Sequence, residues 1–286
     1  MYQYKTLNNT ELNLIHRTFV DAFSDYQVTV DMPFSNFENM LKRRSFMPEL
    51  SIGAFDDERL IGFVLIGAGM WDDRPTVYDL GTGVIPSYRK QGITSQILKQ
   101  IKTLCIEKNI ECFLLEVLQN NTAAVELYKK QKFETIREFE CFGLKKAVFT
   151  PETFVVVQNP DCLSKIQWEK IQSFWNYNPS WQNSVNAVMA LPSHFLYSVV
   201  SIDDQIAGYG IIEKGRGDIP QIAVSEKHRN RGIGKSILSD LIHRTTAEFF
   251  VVNNVDSRDE HLKHFLMKAG FEKLVSQYEM LLHLNP

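Results

Sequence analysis

Two short stretches of this 286-residue chain set positive charge, a glycine and the start of an amphipathic helix side by side. In the first, Val84-Ile85-Pro86-Ser87-Tyr88-Arg89-Lys90-Gln91-Gly92-Ile93-Thr94, a β-rich run ends, Arg-x-x-Gly follows, and apolar residues then recur at helical spacing. In the second, Val224 stands five residues before Arg229-Asn230-Arg231-Gly232-Ile233-Gly234, and a helix of the same pattern follows. The chemistry this arrangement offers is phosphate binding. A helix N-terminus carries uncommitted N–H groups and roughly half a positive charge. Glycine has no Cβ to hold an anion away and tolerates positive φ. Arg and Lys in the turn add charge-assisted hydrogen bonds. One Arg-x-x-Gly alone is more often an ordinary turn, because short motifs match by chance. Two in register, each behind Val-x-x-x-x-Arg, argue for a shared function.

The elements that position these turns repeat along the chain. Arg89 and Arg229 are 140 residues apart, Phe133 and Phe271 are 138 apart, and Gly62 and Gly208 are 146 apart. Offsets near half the chain length, kept at three places, indicate a duplication. In the first half, Leu12, Ile15, Phe19 and Phe23 recur at helical spacing behind Thr10-Glu11, and Ser35 is placed to cap a second helix carrying Phe37, Met40 and Leu41. Strands are expected near 50–56, 59–68 and 76–85, then the Gly92 turn and a helix with Ile93, Ile97, Leu98, Ile101 and Leu104 on one face. A strand at 112–117, a helix over 122–130 and two closing strands to about 145 complete the unit. The second half repeats the order: a helix with Leu163, Ile166, Ile171 and Phe174, a second after Trp181, then strands near 196–202, 206–213 and 218–225. After the Gly232 turn come a helix with Ile233, Ile237, Leu238, Leu241 and Ile242, and a last helix opened by a capping box at Ser257. The fold class is thus α/β of the α+β type, two tandem domains, each a mixed central sheet flanked by helices. The domains are expected at 1–146 and 147–286, with a linker around 146–156.

The run from Val84 to Thr94 resembles the Gln/Arg-x-x-Gly-x-Gly/Ala signature of the GNAT superfamily of N-acetyltransferases, with Thr94 at the last position. Arg229 to Gly234 satisfies the signature fully. The family's second motif, Asn-x-x-Ala-x-x-Leu-Tyr-x-x-x-Gly-Phe, is resembled by Asn121, Ala124, Leu127, Tyr128 and Phe133, with Lys132 in place of glycine. The second copy keeps Gly270-Phe271 but has Leu266 for the tyrosine and Asp259 for the asparagine. The resemblance, as a tandem GNAT protein, covers nearly the whole chain. It implies transfer of an acetyl group from acetyl-CoA to a primary amine of a small molecule or peptide in a direct ternary complex. It implies acetyl-CoA contacts at Val84, Ile85, Arg89, Lys90, Gln91, Gly92, Ile93, Thr94 and Asn121. The matching set in the second copy is Val224, Arg229, Asn230, Arg231, Gly232, Ile233 and Gly234. Tyr128 would protonate the leaving thiolate. Asp79 and Glu116, on the strands flanking the thioester, are candidates for the base, and Asp25, Tyr26, Trp71 and Cys141 for the acceptor pocket. Leu266 cannot move a proton, so the first half is expected to catalyse and the second to be degenerate, structural or a second CoA site.

Bulk properties narrow the partners. A net charge of −3 and a pI near 6.2 give no basic footprint for nucleic acid or an anionic membrane. The longest uncharged run, Leu60 to Trp71, is too short to span a bilayer. The first residues show no basic-then-apolar leader pattern, and Cys105, Cys112, Cys141 and Cys162 fit neither a disulfide framework nor a zinc site. His261 and His264 have no third ligand nearby in sequence, so no metal is expected. The expectation is a cytoplasmic monomer or homodimer. Two alternatives stand beside the transferase: a non-catalytic acyl-CoA sensor or scaffold, and a Fem-type aminoacyl transferase, which would want a basic groove.

Overall fold

A computed structural model describes residues 1–25 and 32–284, so Tyr26 lies outside the described residues. The chain forms two compact units, one of residues 1–136 with 278–286 and the other of residues 137–277.

The first unit begins with β1 (Gln3–Thr6), α1 (Leu12–Ala22) and α2 (Phe34–Arg43). Pro33, not Ser35, precedes the first turn of α2; proline's fixed φ suits that place, and Ser35 falls inside the helix. A meander follows of β2 (Ile52–Asp56), β3 (Arg59–Trp71) and β4 (Arg74–Val84). Then come α3 (Ile93–Glu107), β5 (Cys112–Leu118) and α4 (Thr122–Lys130). The strands β1 to β4 are antiparallel neighbours, whereas β5 joins β4 in parallel through the α3 crossover. The apolar stripe of α3, with Ile93, Ile97, Leu98, Ile101 and Cys105 all buried, packs on Ile52, Ala54, Ile61, Val64 and Phe113. The same core takes in Met280, Leu282 and Leu284 from the far end of the chain, and Leu284 N–H donates to Glu111 O at 2.8 Å.

The second unit contains most of β6 (Glu134–Lys145), one continuous strand where two were expected. Residues 149–164 form no helix or longer strand. They are followed by α5 (Lys165–Gln172), α6 (Val185–Met189), β7 (Phe195–Ile202), β8 (Gln205–Glu213) and β9 (Gln221–Val224). The unit ends with α7 (Ile233–Arg244), β10 (Phe249–Asp256), α8 (Glu260–Lys268) and the start of β11 (Glu272–His283). β7, β8 and β9 are antiparallel, and β6 pairs antiparallel with β10. Ile166 is exposed, and α5 buries Trp168 and Ile171 instead. The capping box belongs to α5, where Ser164 and Gln167 bond reciprocally, while Asp259 caps α8.

The return of the last residues to the first unit makes a prediction. Met280 is fully buried there, so Met280→Ala should cost about 2–5 kcal/mol. In denaturant unfolding the loss should appear in the first unit; a variant as stable as wild type would contradict the assignment.

Candidate functional site

In the first unit the site is made where two parallel strands part. β4 and β5 pair at Thr76–Cys112, Val77–Phe113 and Tyr78–Leu114. Beyond those pairs β4 continues to Val84 and β5 to Leu118 without further pairing to each other among the described residues. A wedge of this kind leaves backbone groups on its inner edges for a ligand to bond. Opposite Ile66 and Leu65, β4 also carries a bulge at Leu80, which changes the facing of Asp79 relative to Gly81.

Val84 and Ile85 end β4, and a short 3-10 turn leads to Arg89. Lys90 and Gly92 both adopt positive φ, 62° and 76°. Together they fold the turn so that exposed Lys90, Gln91 and Gly92 precede Ile93 and half-buried Thr94 in the first turn of α3. As a glycine N-cap, Gly92 brings no side chain to satisfy the leading amides, and no atom lies within 4 Å of where its Cβ would stand. Open space in front of uncapped amides is what an anion needs.

Arg89 is engaged within the protein by four hydrogen bonds. Its Nε donates to Val84 O at 3.1 Å, Nη2 donates to Ala22 O at 2.9 Å, and both Nη atoms bond Asp25 at 2.7 Å. The guanidinium thus ties the turn to the strand behind it and to the end of α1. Its hydrogen bond in turn holds the Asp25 carboxyl below its usual pKa. Arg229 repeats the brace in the second unit, with Nε on Val224 O (3.1 Å) and Nη2 on Phe174 O (3.2 Å) and Asn176 Oδ1 (3.1 Å). In both turns the first arginine ties the loop to the preceding strand and to backbone behind it.

Asn121 is the N-cap of α4, its side chain accepting from Ala124 N–H. That cap sets the start of the helix, and two turns on it delivers Tyr128 to a buried position. The Tyr128 hydroxyl donates to Asp79 Oδ2 at 3.3 Å, and its ring meets Phe133 edge-on. Asp79 also accepts from Gly81 N–H at 2.8 Å and from the Thr82 hydroxyl at 2.6 Å. Burial outweighs these bonds and raises the Asp79 pKa to about 6. Glu116 is half-buried on β5 and accepts a hydrogen bond from Tyr78, whose own pKa burial and the Glu116 charge push up. Of the candidate catalytic groups, Asp79 and Tyr128 are therefore brought into contact, and Glu116 is paired with Tyr78. Trp71 is half-buried at the end of β3, and Cys141 is buried in the second unit near Asn254.

The second unit has the same wedge with different contents. Among the described residues a parallel bridge, Asp218–Val251, joins the stretch leading into β9 to β10, and a cleft of about 840 Å³ lies in this unit beside it. Asn230 and Gly232 repeat the positive-φ pair at 60° and 77°, and exposed Arg231 lies between them. Ile233 is buried at the start of α7, and Gly234 lies under the Phe265 ring. By the spacing of the two turns and the registers Tyr78–Leu114 and Asp218–Val251, the Tyr128 position is held by fully buried Leu266, the Asp79 position by buried Ile219 and the Glu116 position by Asn253. No proton-transfer group survives at any of the three. Phe154 covers Gly232, a contact no periodic signal announced. His261 and His264 are exposed. Among the described residues, no group of three metal-ligating side chains occurs and no helix is long and apolar enough to cross a membrane.

A sheet whose parallel strands part beside a glycine-led helix N-terminus, present twice, defines a tandem acyltransferase architecture of the GNAT type. The sequence bears this out: the Acetyltransferase (GNAT) family pattern matches residues 12–133, and an Acetyltransferase (GNAT) domain pattern matches residues 162–280. The chain belongs to the GNAT acetyltransferase family. A tandem GNAT protein from the clavulanic acid biosynthesis pathway superposes with a TM-score of 0.75 at 11% identity, covering 100% of this chain and 99% of that one. A GCN5-related N-acetyltransferase from Sphaerobacter thermophilus gives 0.73 at 14% identity, over 100% of this chain and 96% of the other. At these identities the likeness is one of fold. Among curated proteins, thialysine N-epsilon-acetyltransferase of Sus scrofa is 34% identical over 86 residues, 28% of this chain and half the length of that relative.

Two tests follow from the site. A folded-state pKa of about 6 for Asp79, above the 3.8 of an unperturbed carboxyl, means the folded state holds this proton more tightly. Its contribution to stability is full below pH 3.8 and lost as pH rises through about 6. Asp79→Asn should remove that loss, so its stability relative to wild type should improve from pH 4 to pH 7. A constant difference across that range would contradict the buried carboxyl. Gly92→Ala and Gly232→Ala each force alanine into positive φ, at about 1–2 kcal/mol. Gly232→Ala must also displace Phe154, and thermal melts should show it as the more destabilised of the two.

Proposed function

We propose that the first unit transfers an acetyl group from acetyl-CoA to a primary amine of a small molecule or peptide, within a direct ternary complex. The observation that carries this reading is the Asp79–Tyr128 pair beside the parting of β4 and β5, with the open Gly92 turn at the far end of the same strand. The amides from Lys90 to Thr94 hold the pyrophosphate, and the freed edge of β4 near Val84 and Ile85 aligns the pantetheine arm. An amide of that edge meets the oxygen that becomes negative as the tetrahedral intermediate forms. Holding amine and thioester together supplies much of the rate.

The proton inventory suits the pair. A carboxyl with a pKa near 6 is ionised at neutral pH yet basic enough to accept a proton. The attacking amine loses its proton to Asp79, directly or through a water. Tyr128 passes its own proton to the departing thiolate and takes up the proton that Asp79 received, which returns both groups to their starting states. The C–N bond forms, the C–S bond breaks, and one proton has crossed from nitrogen to sulfur through the Asp79–Tyr128 contact. Glu116, already engaged by Tyr78, bounds the other side of the wedge. The Sus scrofa relative, named for acetylating the ε-amine of thialysine, supports an amine as acceptor.

The test is thiol release from acetyl-CoA over a panel of amines. Turnover should rise with pH through about 6. Tyr128→Phe should lower kcat on the order of 10²–10⁴-fold with little change in acetyl-CoA affinity. No turnover with any amine, or full activity in Tyr128→Phe, would defeat the reading.

A further inference from the structure

The two phosphate turns have nearly the same backbone and different surroundings. At Gly92 the space a Cβ would fill is open, whereas at Gly232 it holds Phe154, whose Cγ would lie 2.5 Å from a Cβ built there. That is the side from which an anion would approach the glycine.

Phe154 is held there by its own backbone. Its N–H donates to Ser236 Oγ at 2.8 Å, and that hydroxyl donates to Gly232 O at 3.1 Å. Two residues earlier, Glu152 N–H donates to Ser239 Oγ at 2.9 Å, and Ser239 Oγ donates back to Glu152 O at 3.0 Å. The Glu152 carboxylate pairs with Lys235 Nζ at 2.6 Å, and the same ammonium lies 5.9 Å from the Phe154 ring centre. Lys235 is a cation in the first turn of α7, where a phosphate would use it, and here it already has an anion. Val155 and Val157 pack on the second unit's core, whereas Phe154 remains 58% exposed and Val156 86% exposed, so the core anchors the segment without burying the ring over Gly232. The segment lies on the turn as a strap, fixed by two serines, one ion pair and the packing of Val155 and Val157.

We propose that Glu152 and Phe154 close the second phosphate turn to acyl-CoA, so that the intact chain loads a single acyl-CoA, in its first unit. Steric filling and charge act together. The ring occupies the approach to Gly232, and the carboxylate both neutralises Lys235 and would repel a phosphate. Lifting the strap would expose a turn that satisfies the family signature more fully than the first, above a cleft of about 840 Å³. This inference rests on the reading that the Gly92 turn receives the pyrophosphate.

Titration calorimetry of the full chain with CoA separates the two ideas. Wild type should bind one CoA, Gly92→Glu none, Phe154→Ala two, and the Gly92→Glu/Phe154→Ala double variant one. Glu152→Gln, which removes only the charge, should show the second site at weaker affinity. Near-UV circular dichroism from Trp175 and Trp181 checks that the second unit stays folded in each variant. Two sites in wild type, or a folded Phe154→Ala that binds no more CoA than wild type, would overturn the closure. A wild-type second site weakened by Phe154→Ala would overturn it too, making the ring a ligand contact. If wild type binds none and Phe154→Ala binds one, the strap stands and the assignment of the first unit falls.

Discussion

The whole arrangement depends on one constraint: a parallel strand pair that must separate just where a glycine begins a helix. While β4 and β5 stay paired, their backbone groups satisfy each other and bind nothing. Where they part, those groups face a wedge, and the long α3 packed beneath keeps the wedge from collapsing. Gly92, at positive φ, ends the turn that follows β4 and begins α3 without a side-chain cap. A residue with a side chain there would be strained. Strand separation and glycine together explain why the site sits at the end of β4.

Once that frame is repeated, each copy differs by what fills it. The first unit places a buried carboxyl against a buried phenol, an arrangement burial makes costly. Replacing Asp79 and Tyr128 by the pattern of the second unit, Ile219 and Leu266, would relieve that cost. Cost retained in one copy and relieved in the other fits a division in which one wedge works and its twin has drifted toward stability. The two turns differ in the same way: the space beside Gly92 is open, and that beside Gly232 is covered by Phe154.

Much of this was legible from residues alone. The two turns, their helices and the duplication follow from spacing, because glycine before an amphipathic run has few structural readings. The Tyr128 helix was legible to the residue, since Asn121 and the apolar spacing bound it at both ends. The bracing by Arg89 was not legible, because sequence shows that a charge is present and not where its guanidinium turns; four oxygens behind the loop accept from it. Ser257 looked like a cap, but Asp259 was better placed to reach the Leu262 amide. Phe154 was invisible because its segment has no period, and its contact is set by two serines more than 80 residues away. The return of residues 278–286 to the first unit was hidden for a related reason: strand alternation looks the same whichever sheet receives it.

The central claim is that catalysis belongs to the first wedge. The most direct measurement compares thiol release from acetyl-CoA, with one active amine, in Gly92→Glu and Gly232→Glu. A carboxylate in front of the first turn should abolish release, and one in front of the second should leave it near wild type in a folded protein. Release surviving in Gly92→Glu and lost in Gly232→Glu would place the chemistry in the other unit and contradict the account.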